Sequence, residues 1–253
     1  MKPFYEQYRD SDNELLITSR EDYSFPLHFH AAVEIFILLK GKYKVTVDNN
    51  TYEMDERSIL IADSFCMHSY TKLTKEPSQS LMLIIPSVYL LEYNELKNEQ
   101  TLKSYVTKNE KIFKEICGLT EFLKDHLDNE RLKTNYTNAL LLLLLEDLGT
   151  MPSTQKKDLT TIKNLLYYIE NHFKENITLE SISKHFGYSS CHLSRLFHSY
   201  FTISISRYIN NMRIKYIESK KTTADNLLAL IYESGFQSPQ TYYRNLKYFR
   251  EQN

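Results

Sequence analysis

Four residues near the N-terminus have the types and spacing of a metal-ligand set. They are His28, His30 and Glu34 in FPLHFHAAVEIFILLKG, with His68 further along the chain. On a strand, positions 28, 30 and 34 share parity, so the three side chains fall on one face. Three histidines and one carboxylate are a competent donor set for Fe, Mn, Ni or Zn. The same residues can instead line a pocket for a small organic molecule, or only hydrogen-bond within the fold. A second concentration, HFGYSSCHLSRLFHSYF, holds His185, Cys191, His192 and His198. Helical periodicity turns Cys191 and His192 about 100° apart. His185 precedes the glycine and His198 lies nearly two turns on, so no tetrahedral ligand set follows.

The elements that would hold the first set read as strands. KYKVTVDNNTYEM alternates around Asn49-Asn50, a pair that tolerates left-handed backbone and suits a hairpin turn. VEIFILL is a continuous apolar run, as for a strand buried on both faces, and Gly41 separates it from the hairpin. SILIAD and LMLIIP supply further strands. An antiparallel barrel or sandwich is the economical arrangement. From about Ser87 the pattern turns helical. Ile112, Phe113, Ile116, Leu119 and Leu123 recur at helical spacing, and a second helix over about Arg131 to Leu148 contains LLLLLL. A helix that apolar all round must bury more than one face, against the barrel or against a partner copy.

GTMPSTQKK, from Gly149 to Lys157, has a linker composition. The expected domains are therefore 1–150, a linker at 151–157, and 158–253. The charge changes at the same place: the last segment is net +4 and the part before it −5, within an overall −1. A modestly basic module joined to an acidic one is compatible with nucleic-acid binding by the former.

The second domain reads as helix after helix. In ITLESISKHFGYSSCHLSRLFHSYF, Thr178 is a good N-cap, and Leu179, Ile182 and Phe186 point inward. Gly187 permits the left-handed turn that ends the helix, and Ser189 or Ser190 caps the next. In that next helix Leu193, Leu196, Phe197 and Tyr200 form the apolar face, while Cys191, Ser194, Arg195 and His198 share the opposite one. The unit recurs as ADNLLALIYESGFQSPQTYYRNLKYF around Gly235, with Pro239 at the first turn of its second helix. There Tyr242, Leu246 and Phe249 face inward, while Gln240, Tyr243, Arg244 and Lys247 face outward. A helix from Ser204 to Lys221 connects the copies. Helix, glycine turn and helix with a polar outer face is helix-turn-helix architecture.

Two such units on one connecting helix resemble the AraC/XylS family of bacterial transcription regulators over about 161–249. The resemblance implies an α+β chain: an N-terminal antiparallel barrel with a helical hairpin, then an all-α DNA-binding domain. It implies that two recognition helices enter successive major grooves of double-stranded DNA. Cys191, His192, Ser194 and Arg195 would read the first groove, and Gln240, Thr241, Tyr243 and Arg244 the second. Arginine can bond guanine bidentately and glutamine adenine. Lys184, Arg207, Lys215 and Lys247 fit phosphate contacts, which position without specifying. Three features depart from the family pattern: Ile231 and Ile217 stand where small alanines are usual, and the chain ends at FREQN without the family's Gly-x-Thr-Pro tail.

His28-x-His30-x3-Glu34-x6-Gly41 has the spacing of the first cupin motif, and His68 could supply the histidine of the second. Asp22 stands where the first motif begins with glycine, and Arg57, Asp63 and Phe65 replace the glycines and proline expected before His68. The four residues therefore line an effector pocket, hold a divalent metal, or only bond one another; no cofactor is otherwise called for.

The chain reads as a non-enzymatic, effector-responsive activator, homodimeric and cytoplasmic. The other class considered is a metal-dependent cupin enzyme with an accessory helical domain. Nothing in the sequence matches a nucleotide-binding glycine loop or a nucleophile elbow. The longest apolar run, Ala139 to Leu145, is far short of a membrane span, and MKPFYEQYRD has no signal-peptide core. Cys66, Cys117 and Cys191 suit neither a disulfide framework nor a zinc finger.

Overall fold

The computed structural model describes residues 4–5, 14–48, 50–98, 100–152, 157–201, 203–221 and 226–252. The chain divides into two compact units, 1–154 and 155–253.

Unit one carries β1 (Phe4–Tyr5), β2 (Leu16–Glu21), β3 (Phe25–Phe29), β4 (Val33–Lys40), β5 (Tyr43–Val47), β6 (Asn50–Met54), β7 (Ser58–Ala62), β8 (His68–Lys72) and β9 (Gln79–Ile85). After these come α1 (Leu91–Lys97), β10 (Thr101–Leu102), β11 (Val106–Thr107), α2 (Glu110–Lys124), α3 (Glu130–Leu148) and β12 (Thr150–Met151). Two five-stranded sheets form, ordered β1-β3-β8-β5-β6 and β11-β7-β4-β9-β2. Their ladders are antiparallel apart from the short parallel pair of β1 with β3.

The apolar run in β4 lies between β7 and β9, and Val33 to Leu38 are buried whether they point up or down. Alternation in β5 sends Tyr43, Val45 and Val47 inward and Lys44 outward. The sheets meet face to face through aromatic rings: Phe36 of β4 lies 5.3 Å from Tyr43 and 4.7 Å from Tyr70 of the other sheet. Val47 pairs with Asn50 to close the hairpin, and Asp48 takes the left-handed conformation at φ 51°. Asn49, half of the expected turn pair, lies outside the described residues.

α2 and α3 form the helical hairpin. α3 buries one stripe, Lys133, Thr137, Leu140, Leu141, Leu144 and Leu148, while Leu142, Leu143 and Leu145 stay half-buried. The buried Lys133 ammonium donates to Glu130 (2.6 Å) and to the Leu127 carbonyl (3.2 Å), so its charge is partnered. The segment between barrel and hairpin is less simply helical than its sequence pattern: α1 is followed by β10 and β11. The linker expected at 151–157 needs correction at both ends. Met151 pairs with Thr101 in the β10–β12 ladder, and Lys157 already opens a helix. Short backbone pairing and helix starts outweigh a permissive composition there; residues 153–156 lie outside the described set.

Unit two is helical throughout its described residues: α4 (Lys157–His172), α5 (Leu179–Phe186), α6 (Ser190–Tyr200), α7 (Ile205–Lys220), α8 (Leu227–Glu233) and α9 (Pro239–Gln252). Thr178 caps α5 in a reciprocal capping box with Ser181. Gly187 ends α5 at φ 71°. Ser189 caps α6 through the His192 amide, and Ser204 caps α7 through the Arg207 amide. Ile231 and Ile217, the two departures from small residues, are both buried. They pack in one cluster with Ile214, Leu230, Phe236, Tyr242 and Leu246. The second module thus uses their bulk as core.

Candidate functional site

The first site lies between the two sheets of unit one. Register on β3 and β8 sets His28 directly opposite His68. β4 in the facing sheet supplies Glu34, two residues before the inward Phe36. His30 follows β3 immediately. All four side chains are buried, and one ligating atom from each lies within 4.8 Å of the others. His30 Nε2 is 3.1 Å and His68 Nε2 3.7 Å from Glu34 Oε2. The other nitrogen of each ring faces a backbone carbonyl. His28 Nδ1 donates to Pro26 O (2.9 Å), His30 Nδ1 to Ala32 O (3.0 Å) and His68 Nδ1 to Cys66 O (2.8 Å). Those three bonds hold the protons on Nδ1, so the Nε2 lone pairs turn toward one another and toward a carboxylate.

Such convergence of lone pairs in a dry interior needs a positive charge at its centre. Either protons or a cation can supply it. Burial alone would raise the Glu34 carboxyl, but when protons supply that charge the His30 Nε2–H donates to it, and the charge of the His30 and His68 rings holds it well below the ordinary carboxylate range. Burial, then the charge of His68, lowers His28 to about 3. Glu34 is thus the anion of the set and His28 a neutral base at ordinary pH. Among the described residues Glu34 Oε1 has no hydrogen-bond partner, which leaves a second carboxylate oxygen for a cation. Three imidazole nitrogens plus a carboxylate fit a first-row divalent ion, which would act there as a Lewis acid or a structural centre. An aromatic wall encloses the rings: Phe25 lies 4.6 Å from His28 edge-on, and Tyr70 lies 5.8 Å from His68.

The replaced residues of the two motifs keep an unusual backbone. Asp22, Arg57 and Phe65 all have positive φ, at 47°, 64° and 58°. Glycine adopts that region freely, and other residues pay about 1–2 kcal/mol for it. Local bonds offset the cost. Asp22 Oδ1 accepts from the Ser78 amide (2.9 Å) and from Lys72. The Arg57 amide donates to Leu38 O (2.8 Å), and the Phe65 amide to His30 O (2.8 Å). The loops that shape the site survive the loss of their glycines. Asp63, in the proline position, takes a new role: its carboxylate pairs with Lys97 of α1.

The second site is the outer surface of unit two. On α6, Cys191, His192 and Arg195 are exposed and Ser194 half-buried, opposite the buried Leu193, Leu196 and Phe197. His192 stacks on Tyr188 at 5.0 Å. On α9, Gln240, Tyr243, Arg244 and Lys247 are exposed. Thr241 is half-buried, and its amide and hydroxyl meet the Ser238 hydroxyl at 3.3 and 3.0 Å as a cap. Lys184 is exposed, whereas Arg207 and Lys215 are half-buried, Arg207 lying 5.0 Å over the Tyr248 ring. Arg213 is buried and spends its guanidinium inside the domain. Its neighbours in the fold reveal what it does.

Comparison with known proteins matches the strand region that holds the first site and the segment that holds α6. Residues 17–84 match the pattern described as Cupin domain. Residues 169–210 match that of bacterial regulatory helix-turn-helix proteins, AraC family. The multiple antibiotic resistance protein MarA of Salmonella typhimurium is 33% identical over 96 residues, 38% of this chain and 76% of MarA. The chain belongs to the AraC family. This AraC-family chain is also 25% identical over 130 residues to an uncharacterized HTH-type transcriptional regulator of Staphylococcus aureus (strain MSSA476), covering 49% of the chain and 17% of that protein. It therefore spans about a sixth of the length of such relatives. Among solved structures, fatty-acid-bound ToxT from Vibrio cholerae strain SCE256 shares the fold at a TM-score of 0.50 and 17% identity, over 94% of this chain and 92% of that one. No helix of the described residues is long and apolar enough to cross a membrane.

Proposed function

We propose that this chain is a sequence-specific DNA-binding transcription regulator. α6 and α9 read successive major grooves of double-stranded DNA, and the barrel supplies the signal. The observation that carries the reading is the repeated unit itself: two capped helices, each with an apolar face buried and a polar face carrying an arginine exposed. Cys191, His192, Ser194 and Arg195 read one groove; Gln240, Thr241, Tyr243 and Arg244 read the other. Lys184, Lys247, Arg207 and Lys215 take phosphates, the first two with the least rearrangement. The chain acts as an effector-responsive activator in the cytoplasm, and as a homodimer. The half-buried leucines of α3 support self-association. No catalytic step is assigned to it.

Selection of bound sites from random DNA tests this reading. Two base-specific elements about one helical turn apart are expected. Arg195→Ala should weaken binding to the selected site by about 1–3 kcal/mol and relax preference at one position. Affinity should also fall steeply with salt, because phosphate contacts release counterions. A flat salt response, or an Arg195→Ala variant equal to the parent, refutes the assignment.

The donor set between the sheets favours one refinement. His28, His30, Glu34 and His68 hold a divalent first-row metal, and that ion is either the effector or the structural centre of the barrel. Stoichiometric metal in protein purified without chelator, lost in His28→Ala, is the expected result. Metal-free protein that takes up none of Mn, Fe, Ni or Zn refutes it.

A further inference from the structure

The side chains along α7 reach in two directions. Toward module one (α5, its turn and α6), Tyr208 packs on Phe197 and Phe201, each 5.9 Å away. Toward module two (α8, its turn and α9), Arg207 lies over Tyr248, and Asn210 Nδ2 donates to Asn245 Oδ1 at 3.3 Å. Asn245 in turn donates to Thr241 O at 2.8 Å, in the first turn of α9.

Arg213 of α7 bonds the turn that leads into module one and also meets module two; Tyr216 of the same helix likewise meets Phe173 and Glu233. The Arg213 Nε donates to Phe173 O (2.7 Å) and its Nη2 to Glu175 O (2.8 Å), in the turn that leads from α4 into module one. These carbonyls follow the end of α4, where backbone acceptors lack helical partners and a cation is favoured. Nη1 donates to Asn210 Oδ1 at 3.5 Å, and so joins the Asn210–Asn245 link to α9. The guanidinium carbon sits 5.7 Å from the Phe236 ring, in the turn of module two. The same junction is closed from the other side. A Cβ at Gly235 would meet Lys174 O at 2.6 Å, so the module-two turn lies directly on this backbone. Lys174 also reaches Glu233 at 3.7 Å and covers the Tyr216 ring at 3.7 Å. The contacts of this junction converge on residues 173–175 and on Arg213.

From this junction we infer that Arg213 is a positioning residue that sets the separation and angle of α6 and α9, and so the spacing between the two base-reading elements accepted on DNA. The DNA part rests on the reading above; the geometric part does not. Arginine suits the place because its planar fork satisfies two carbonyls and a side-chain amide together. Lysine keeps the charge and cannot hold three acceptors in that plane. Asn210→Ala leaves the carbonyl bonds and cuts the side-chain link to Asn245.

The test uses the full chain with Cys117→Ser, spin-labelled at the native, exposed Cys191 of α6 and at Tyr243→Cys of α9; Cys66 is buried. Pulsed dipolar spectroscopy then reads the α6–α9 distance without DNA. The parent is expected to give one narrow distribution. Arg213→Lys should broaden it about twofold or more, since a positioning contact with discrete partners is lost, and Asn210→Ala should broaden it less. A folded Arg213→Lys chain with the parent's distribution overturns the inference. If that variant does not fold, an unchanged distribution in Asn210→Ala overturns it. On DNA, unlabelled parent should lose roughly tenfold or more in affinity when two base pairs are inserted between the selected elements, and Arg213→Lys about threefold or less. Equal spacing dependence in both chains also overturns it. Failure to select any DNA site would count against the DNA-binding reading alone, because the label distances are read in its absence.

Discussion

Acid should loosen the first unit well before its carboxylates protonate, and His28 is the reason. Its imidazole is lowered from 6.5 to about 3 by burial and by the charge of His68. Above pH 6.5 the ring is neutral in the folded and unfolded chain alike and contributes no pH dependence. As pH falls below 6.5 the unfolded chain binds a proton that the folded one refuses, so stability is lost down to about pH 3. Each pH unit in that window removes about 1.4 kcal/mol, so the loss at pH 5 is about 2 kcal/mol. Glu34 runs in the same direction lower down: its carboxyl is held below its ordinary value, and its stabilisation disappears as pH falls below that value. Near pH 5 and above it adds little slope. Calorimetry of the metal-free chain in chelator, from pH 7 to pH 5, should show the barrel transition falling while that of the helical unit moves less. The chain has no tryptophan, so near-ultraviolet circular dichroism of its tyrosines is the optical check. His28→Gln should lower the starting stability but flatten the acid slope by about 2 kcal/mol. A barrel transition that does not move between pH 7 and pH 5, or an unchanged slope in His28→Gln, would refute the reasoning.

Other outcomes follow from the same structure. Gly187→Ala should cost about 1 kcal/mol, the price of a left-handed residue in open space. Gly235→Ala, with φ +95° and a Cβ driven onto Lys174 O, should cost about 3 kcal/mol or more; equal losses in thermal denaturation would contradict the close approach. Thr178→Ala removes the cap and half of the capping box of α5 and should lower stability by about 1 kcal/mol, an unchanged midpoint being the adverse result. Glu34→Gln removes the one anion of the donor set. It should weaken Mn or Zn binding by roughly 100-fold in calorimetric titration, and retained affinity would exclude Glu34 as a ligand.

The two helix-turn-helix units were legible because their signals are local. A glycine at the turn and a 3.6-residue apolar stripe lie within about twenty residues in each, with a capping threonine in the first, and each signal specifies its own backbone. The core strands were legible for the same reason: VEIFILL is a short continuous apolar run, as for a strand buried on both faces, and Gly41 bounds it. The short pairs were not. β10 with β12 joins residues about fifty apart through two-residue strands, which carry no periodicity. The erosion of the motif around His68 was misleading for a related reason. Arg57 and Phe65 look like lost glycines, yet the backbone keeps the glycine conformation, held by hydrogen bonds to Leu38 and His30 that no local pattern encodes.

The sequence by itself marked the candidates: the spacing singled out His28, His30 and Glu34, and periodicity put Arg195 and Arg244 outside. Spacing and periodicity are properties of the local chain alone. The parity of one strand is not what joins the first three, since His28 lies on β3 and Glu34 on β4 of the facing sheet. Tertiary structure decided what they meet. Strand register brought His68 opposite His28, and sheet packing laid Glu34 over both. Which nitrogen of each ring faces inward is, by contrast, set locally, by a carbonyl two residues away in every case. In the second unit tertiary structure distinguished Arg213, an ordinary cation in the sequence, from Lys184 and Lys247, because only the junction of α4, α7 and the Gly235 turn supplies acceptors for a buried guanidinium. A side chain's chemistry is written locally, but its deciding partners can be remote in the chain, as His68 is for His28 and Phe173 for Arg213.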